Sequence, residues 1–194
     1  MNRALFILLL VLPIISFSQT TKLDSLKSVI ENSTEDSLKV KLLMDVYKIY
    51  EKGKINEGKK YLDQALILSK EVGNDILTSS VRLRLGNYYN ITGDYEKSIE
   101  HILIAKEICE EGSNDKGLST VYNNLGATYE KMGSYDEAMD CFIKSLNVSE
   151  SLNDSVNIAK TLLNLGLLHS RQQNFEKSLE FYNQSLELRQ KLND

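Results

Sequence analysis

The 194-residue chain contains no tryptophan, one proline and two cysteines. Beyond Pro13, only glycines and short polar turns can interrupt a helix, so an all-helical protein is predicted. Cys109 and Cys141 occupy repeat positions eight residues apart, about 12 Å along a helix, which is too far for a disulfide, so two free thiols are expected. Positive charge is scarce: 23 Lys and Arg face 27 Asp and Glu, a formal net charge of −4, with no basic cluster. That argues against a nucleic-acid partner. Histidine is nearly absent, two in all. His101, Cys109 and Cys141 lack the compact spacing of a metal site, and no nucleophile elbow or phosphate loop occurs. No cofactor and no enzymatic activity are expected. His169 is read as a packed ring and His101 as solvated.

The one long apolar run is Ala4 to Ile15, preceded by Arg3 and followed by Ser16-Phe17-Ser18. This is the pattern of a secretory signal peptide over residues 1–18, cleaved between Ser18 and Gln19. A retained anchor is the rival reading, but the run is short for a bilayer and holds Pro13. The mature form is expected to be exported, periplasmic or extracellular, and not membrane-spanning.

What the sequence has in abundance is self-similarity. Leu85-Gly86, Leu125-Gly126 and Leu165-Gly166 recur every 40 residues, each followed by Tyr89, Tyr129 or His169. Asn-Asp recurs at 74, 114, 153 and 193, suggesting units at about 36–74, 75–114, 115–153 and 154–194. The spacing of Tyr122, Leu125, Tyr129 and Met132, then of Tyr135, Ala138, Phe142 and Leu146, describes two amphipathic helices in one unit. Small residues return in the second helix at Gly58, Ser98, Ala138 and Ser178, and seven further on at Ala65, Ala105, Ser145 and Ser185. They are predicted to face Gly86, Gly126 and Gly166, so that the helices can approach closely. Gly126→Leu should therefore loosen the protein, whereas the same change at Gly117 should not. Leu23, Leu26, Val29 and Ile30 predict a short capping helix within residues 19–35. The last hairpin, lacking a polar cap, is expected to expose an apolar face suited to self-association.

Tyr122-x2-Leu125-Gly126-x2-Tyr129 followed by Ala138-x3-Phe142 resembles the tetratricopeptide repeat. Four units in register cover roughly residues 36 to 194, with a period longer than the usual 34 and no closing proline. The resemblance implies an α-solenoid of four helical hairpins that binds a peptide or protein segment in a groove lined by the first helices. It also implies that an asparagine just before Leu-Gly holds an extended peptide backbone, a role that falls on Asn124 and Asn164. Arg84, at the same position, suits a carboxylate. Asn123, Asn87, Glu130 and Arg171 complete the candidate set. A rival reading is the extracytoplasmic sensor part, or a shortened form, of a membrane histidine kinase or transcription regulator built on such repeats.

Overall fold

The computed structural model describes residues 22–193, the side chain of residue 193 excepted. The expected signal peptide, 1–18, lies outside the described residues. Within them the fold is all-helical. Nine helices follow one another: α1 (22–32), α2 (Asp36–Tyr50), α3 (Ile55–Val72), α4 (Asp75–Thr92), α5 (Tyr95–Glu111), α6 (Asp115–Met132), α7 (Tyr135–Ser151), α8 (Ser155–Arg171) and α9 (Phe175–Asn193). None is long and apolar enough to cross a membrane. The described residues form two compact units that part between Leu77 and Thr78, inside α4.

In the first unit α2 packs against α3. Tyr50 stacks on Tyr61 with centroids 5.5 Å apart. Lys60 sits over the Tyr61 ring at 5.2 Å. In α1, Leu23, Leu26 and Ile30 are half-buried, but Val29 points to solvent. The amphipathic stripe is thus narrower than its four apolar residues suggested.

In the second unit α6 packs on α7, α8 on α9, α5 on α6 and α7 on α8, while α6 also touches α8. One apolar cluster joins Leu83, Ile102, Ala105, Cys109, Val121, Leu125 and Cys141; another joins Ala138, Phe142, Leu165 and Leu168. Both cysteines are free and buried. Burial raises both thiol pKa values, which keeps them in the unreactive protonated form.

The glycines are close-contact positions: Gly86 and Gly166 face the backbone of the small residues Ser98 and Ser178, and each helix glycine also meets a large side chain. A Cβ on Gly126 would lie 2.6 Å from Phe142 Cε1, one on Gly86 2.6 Å from Ile102 Cγ1, and one on Gly166 2.6 Å from Tyr182 Cδ1. The vacated space is filled by the large residue four places after the small one. The small residue does its work on the backbone: the Ser98 hydroxyl donates to the Gly86 carbonyl at 2.8 Å. In the first hairpin the roles are exchanged. Val46 holds the position of the helix glycine, and Gly58, on α3, meets Tyr50 Cβ at what would be 2.7 Å. Gly117 is not the open site expected, because a Cβ there would lie 2.5 Å from Cys109 Sγ.

Turns are short and regular. Positive φ occurs at Gly73, Gly93, Ser113, Gly133, Asn153 and Gln173, one residue at each turn from α3 to α9. At Ser113 the helix ends in a paired closure, Ser113 N–H donating to Glu110 O at 3.2 Å and Asn114 N–H to Cys109 O at 2.8 Å. At four of these turns the next residue caps the following helix, whereas Ser134 makes no side-chain cap. Asn74 Oδ1 accepts from Leu77 N–H, Asp94 from Lys97 N–H, Asn114 from Gly117 N–H and Asp154 from Asn157 N–H. The Asn-Asp pairs therefore do different jobs. Asn74 and Asn114 are caps, whereas at Asn153-Asp154 the aspartate caps and the asparagine takes the left-handed position.

Candidate functional site

The first helices of the second unit, α4, α6 and α8, carry Arg84, Asn124 and Asn164 at one shared position before Leu-Gly. The contact between α6 and α8 brings the last two into adjacent rows. All three are half-buried. The Asn124 side-chain amide has no hydrogen-bond partner among the described residues, although its backbone carbonyl accepts the Thr128 hydroxyl at 3.0 Å. Asn164 is held at one end, its Nδ2 donating to Asn123 Oδ1 at 2.9 Å.

Asn123 lies elsewhere than expected. Only 3% exposed, it is turned into the helix stack. Its Oδ1 also receives the Thr161 hydroxyl at 3.3 Å. Its Nδ2 is buried with no partner. One step along a helix rotates a side chain by about 100°, and that rotation moves Asn123 from the exposed face to the contact with α8. Asn123 is thus a positioning residue for Asn164, with no reach to a ligand.

Arg171 is likewise committed. Its Nε donates to Glu130 Oε1 at 3.1 Å, with the arginine side chain 52% exposed and the glutamate 5%. This pair ties α8 to α6 and removes both residues from the free recognition set. Asn87 is half-buried on α4 and already has a polar interaction of its own.

A run of hydroxyls joins successive hairpins behind this face. Ser98 Oγ lies 3.0 Å from Thr128 Oγ1, which also receives Asn90 Nδ2 at 2.9 Å. One hairpin later, Ser145 Oγ lies 3.0 Å from Thr161 Oγ1 and donates to Ser119 O at 2.9 Å.

His101 was expected in solvent, and the structure places it in a ring pair. It stacks on Tyr89, with centroids 5.4 Å apart, and its Nδ1 accepts from Arg82 Nη1 at 3.2 Å. Arginine can only donate, so this imidazole is neutral at Nδ1. Two hairpins on, the same pair of positions holds His169 on Phe181, again at 5.4 Å. His169 is buried, and its pKa is lowered first by that burial and second by Lys177. The register 101, 141, 181 carried the signal that His101 belongs to packing. No group of His, Cys, Asp and Glu among the described residues is arranged to hold a metal ion.

Stacked antiparallel hairpins with close glycine contacts and a first-helix face bearing amides define a helical-repeat binding protein in architecture. The chain belongs to the tetratricopeptide repeat family, whose model matches residues 77–138 and 117–191. Comparison with curated proteins returns no match. Solved structures share the fold. A Rap protein in complex with Competence and Sporulation Factor superposes with a TM-score of 0.79 at 17% identity, covering 93% of this chain and 52% of that one. BtubC (BKLC) from P. vanneervenii gives a TM-score of 0.69 at 17% identity, covering 90% of this chain and 72% of that one. Aspartyl phosphate phosphatase F from Bacillus subtilis gives 0.73 at 17% identity, covering 92% and 50%. The chain thus spans about half the length of these Rap and phosphatase structures. At such identities the likeness is one of fold, and the phosphatase's activity does not carry over.

Proposed function

We propose that the protein is an interaction module that receives an extended segment of another polypeptide on the face formed by α4, α6 and α8. The observation carrying this reading is the pair of neighbouring amides: Asn124 has an uncommitted side chain, and Asn164 is oriented by Asn123. An amide donates and accepts at once, so it matches the alternating groups of a peptide backbone. Holding one amide in place before binding lowers the entropy lost on association. The family assignment supports a role in binding rather than catalysis, and the Rap neighbour solved with Competence and Sporulation Factor is itself a complex on this fold.

The apolar run and small-residue junction in residues 4–18 support export, and the partner would then be an envelope or extracellular protein. Amino-terminal sequencing of the protein recovered from cell fractions tests this: a mature chain beginning at Gln19 is expected, and retention of Met1 in the cytoplasmic fraction refutes it. The binding face is tested by cross-linking and pull-down from envelope extracts with wild type, Asn124→Ala and Asn164→Ala. Loss of a specific partner with an unchanged melting temperature for Asn124→Ala is expected. Equal recovery of every partner by all three removes the assignment.

A further inference from the structure

The chain is acidic as a whole, yet its charge is sorted by helix. The first helices α4, α6 and α8 carry six Lys or Arg and three Asp or Glu, whereas α5, α7 and α9 carry six basic and twelve acidic residues. Two of the three first-helix acids, Asp75 and Asp115, stand at the first residue of α4 and α6. The third, Glu130, is neutralised by Arg171. Among the bases, Lys116 pairs with Asp154 at 3.3 Å, and Arg82 is turned to His101. Lys131 stands apart near the end of α6. Arg84 and Lys160 remain, with no carboxylate partner among the described residues.

These two cations flank the amides. Arg84 shares the position of Asn124 and Asn164, while Lys160 stands one helical turn earlier on α8, level with Thr120 of α6. We propose that the strip formed by Arg84, Thr120, Asn124, Lys160 and Asn164 takes an acidic segment of a partner polypeptide. Arg84 and Lys160 receive its carboxylates, and the amides receive its backbone. The inference rests on the interaction-module reading above and adds the chemistry of the partner.

Like charges brought together without a counter-ion form a site that an anion stabilises. Lys160 shows the strain of that arrangement: its ammonium is held below the usual lysine range, first by surrounding protein that displaces water and second by Arg84. Lys160 is nonetheless exposed, so a solvent-borne partner can reach it. A bound carboxylate would offset both effects with an opposite charge. A net positive charge on the first helices, against a net negative charge on the second, also steers an acidic partner toward the first-helix face.

The test uses three fluorescein-labelled probes of equal length: oligoglutamate, oligoglutamine and single-stranded DNA. Fluorescence anisotropy should show oligoglutamate binding that weakens with added salt, and little binding of oligoglutamine. Arg84→Ala and Lys160→Ala should each weaken it by about fivefold, with helicity by circular dichroism unchanged. Oligoglutamine binding as well as oligoglutamate overturns the proposal, as does equal binding to the double variant. DNA bound more tightly than oligoglutamate, and lost in the same variants, also overturns it and gives the strip to nucleic acid. If Asn124→Ala loses the envelope partner while Arg84→Ala and Lys160→Ala keep it, the module reading stands and the acidic preference falls.

Discussion

Asn164 Nδ2 donates to Asn123 Oδ1 over 2.9 Å, joining a half-exposed amide to a fully buried one. The two residues come from neighbouring hairpins, so the orientation of a recognition side chain on α8 depends on α6. Asn123→Ala should therefore act as a binding variant although no ligand can touch it. The expected result is partner affinity reduced toward that of Asn164→Ala, with little further loss in the double variant. Additive losses in a double-mutant cycle, read by titration of the partner, would show that Asn123 does not position Asn164.

Glycine 126 gives the clearest stability test. An alanine there gains about 1 kcal/mol in helix propensity but would have to displace the Phe142 ring. Over-packing costs of about 1 to 3 kcal/mol dominate, so Gly126→Ala should lower the melting temperature. Phe142→Leu in the same background should restore part of the loss. Gly53→Ala is the control, since nothing lies within 4 Å of its added Cβ. A Gly126→Ala protein as stable as wild type would refute the close-contact account.

The ion pair between Arg171 and Glu130 makes an asymmetric prediction. Removing the arginine leaves a carboxylate 5% exposed without its cation, and Arg171→Ala should cost about 1 to 3 kcal/mol. Adding Glu130→Gln should recover much of that loss. Urea unfolding of the two single variants and the double variant measures both terms.

Three turn residues hold positive φ without being glycine: Ser113 at 50°, Asn153 at 53° and Gln173 at 61°. The left-handed region costs an ordinary side chain about 1 to 2 kcal/mol, partly offset by the entropy glycine loses on folding. Gln173→Gly should thus stabilise by about 0.5 kcal/mol or more, and Gly133→Gln should destabilise by about 1 kcal/mol. Asn153 should gain least from the change, because asparagine tolerates this conformation best. Differential scanning calorimetry ranks the three.

His169 sets a pH dependence whose sign is fixed. Its folded pKa lies below the ordinary histidine value, so the unfolded chain binds the proton more readily. Its contribution is neutral to stability above about pH 6.5 and turns unfavourable as pH falls below that value, levelling off once the folded form also protonates. The melting temperature of wild type should fall between neutral and mildly acidic pH more steeply than that of His169→Tyr, which restores the residue found in the sister hairpins. Identical slopes would assign the acid sensitivity to other groups.

Much of the architecture was legible because Leu-Gly and its following aromatic mark a helix face independently of context. The helix ends were legible where glycine or an Asx cap stood at the turn. The left-handed backbone at Gln173 and Ser113 was not, since neither side chain advertises it. Asn123 and Asn124 were indistinguishable as adjacent amides; which one faces solvent is decided by the neighbouring hairpin, a relationship between units forty residues apart. His101 was misread for a related reason. Its partner Tyr89 lies on the other helix of the same hairpin, and only the comparison with His169 and Phe181 exposes the shared ring position. The charge sorting between first and second helices was present in the composition of each segment, but it gains meaning only once the segments are assigned to faces.

The hydroxyl pairs Ser98–Thr128 and Ser145–Thr161 bear on mechanics. Hydrocarbon surfaces slip past one another at little cost, but a short directional bond in a dry seam holds at one offset only. The three hairpins of the second unit are thereby pinned to one another at a single setting. The distances separating Arg84, Asn124 and Lys160 then act as a ruler, and an incoming chain must match its graduations rather than remould them.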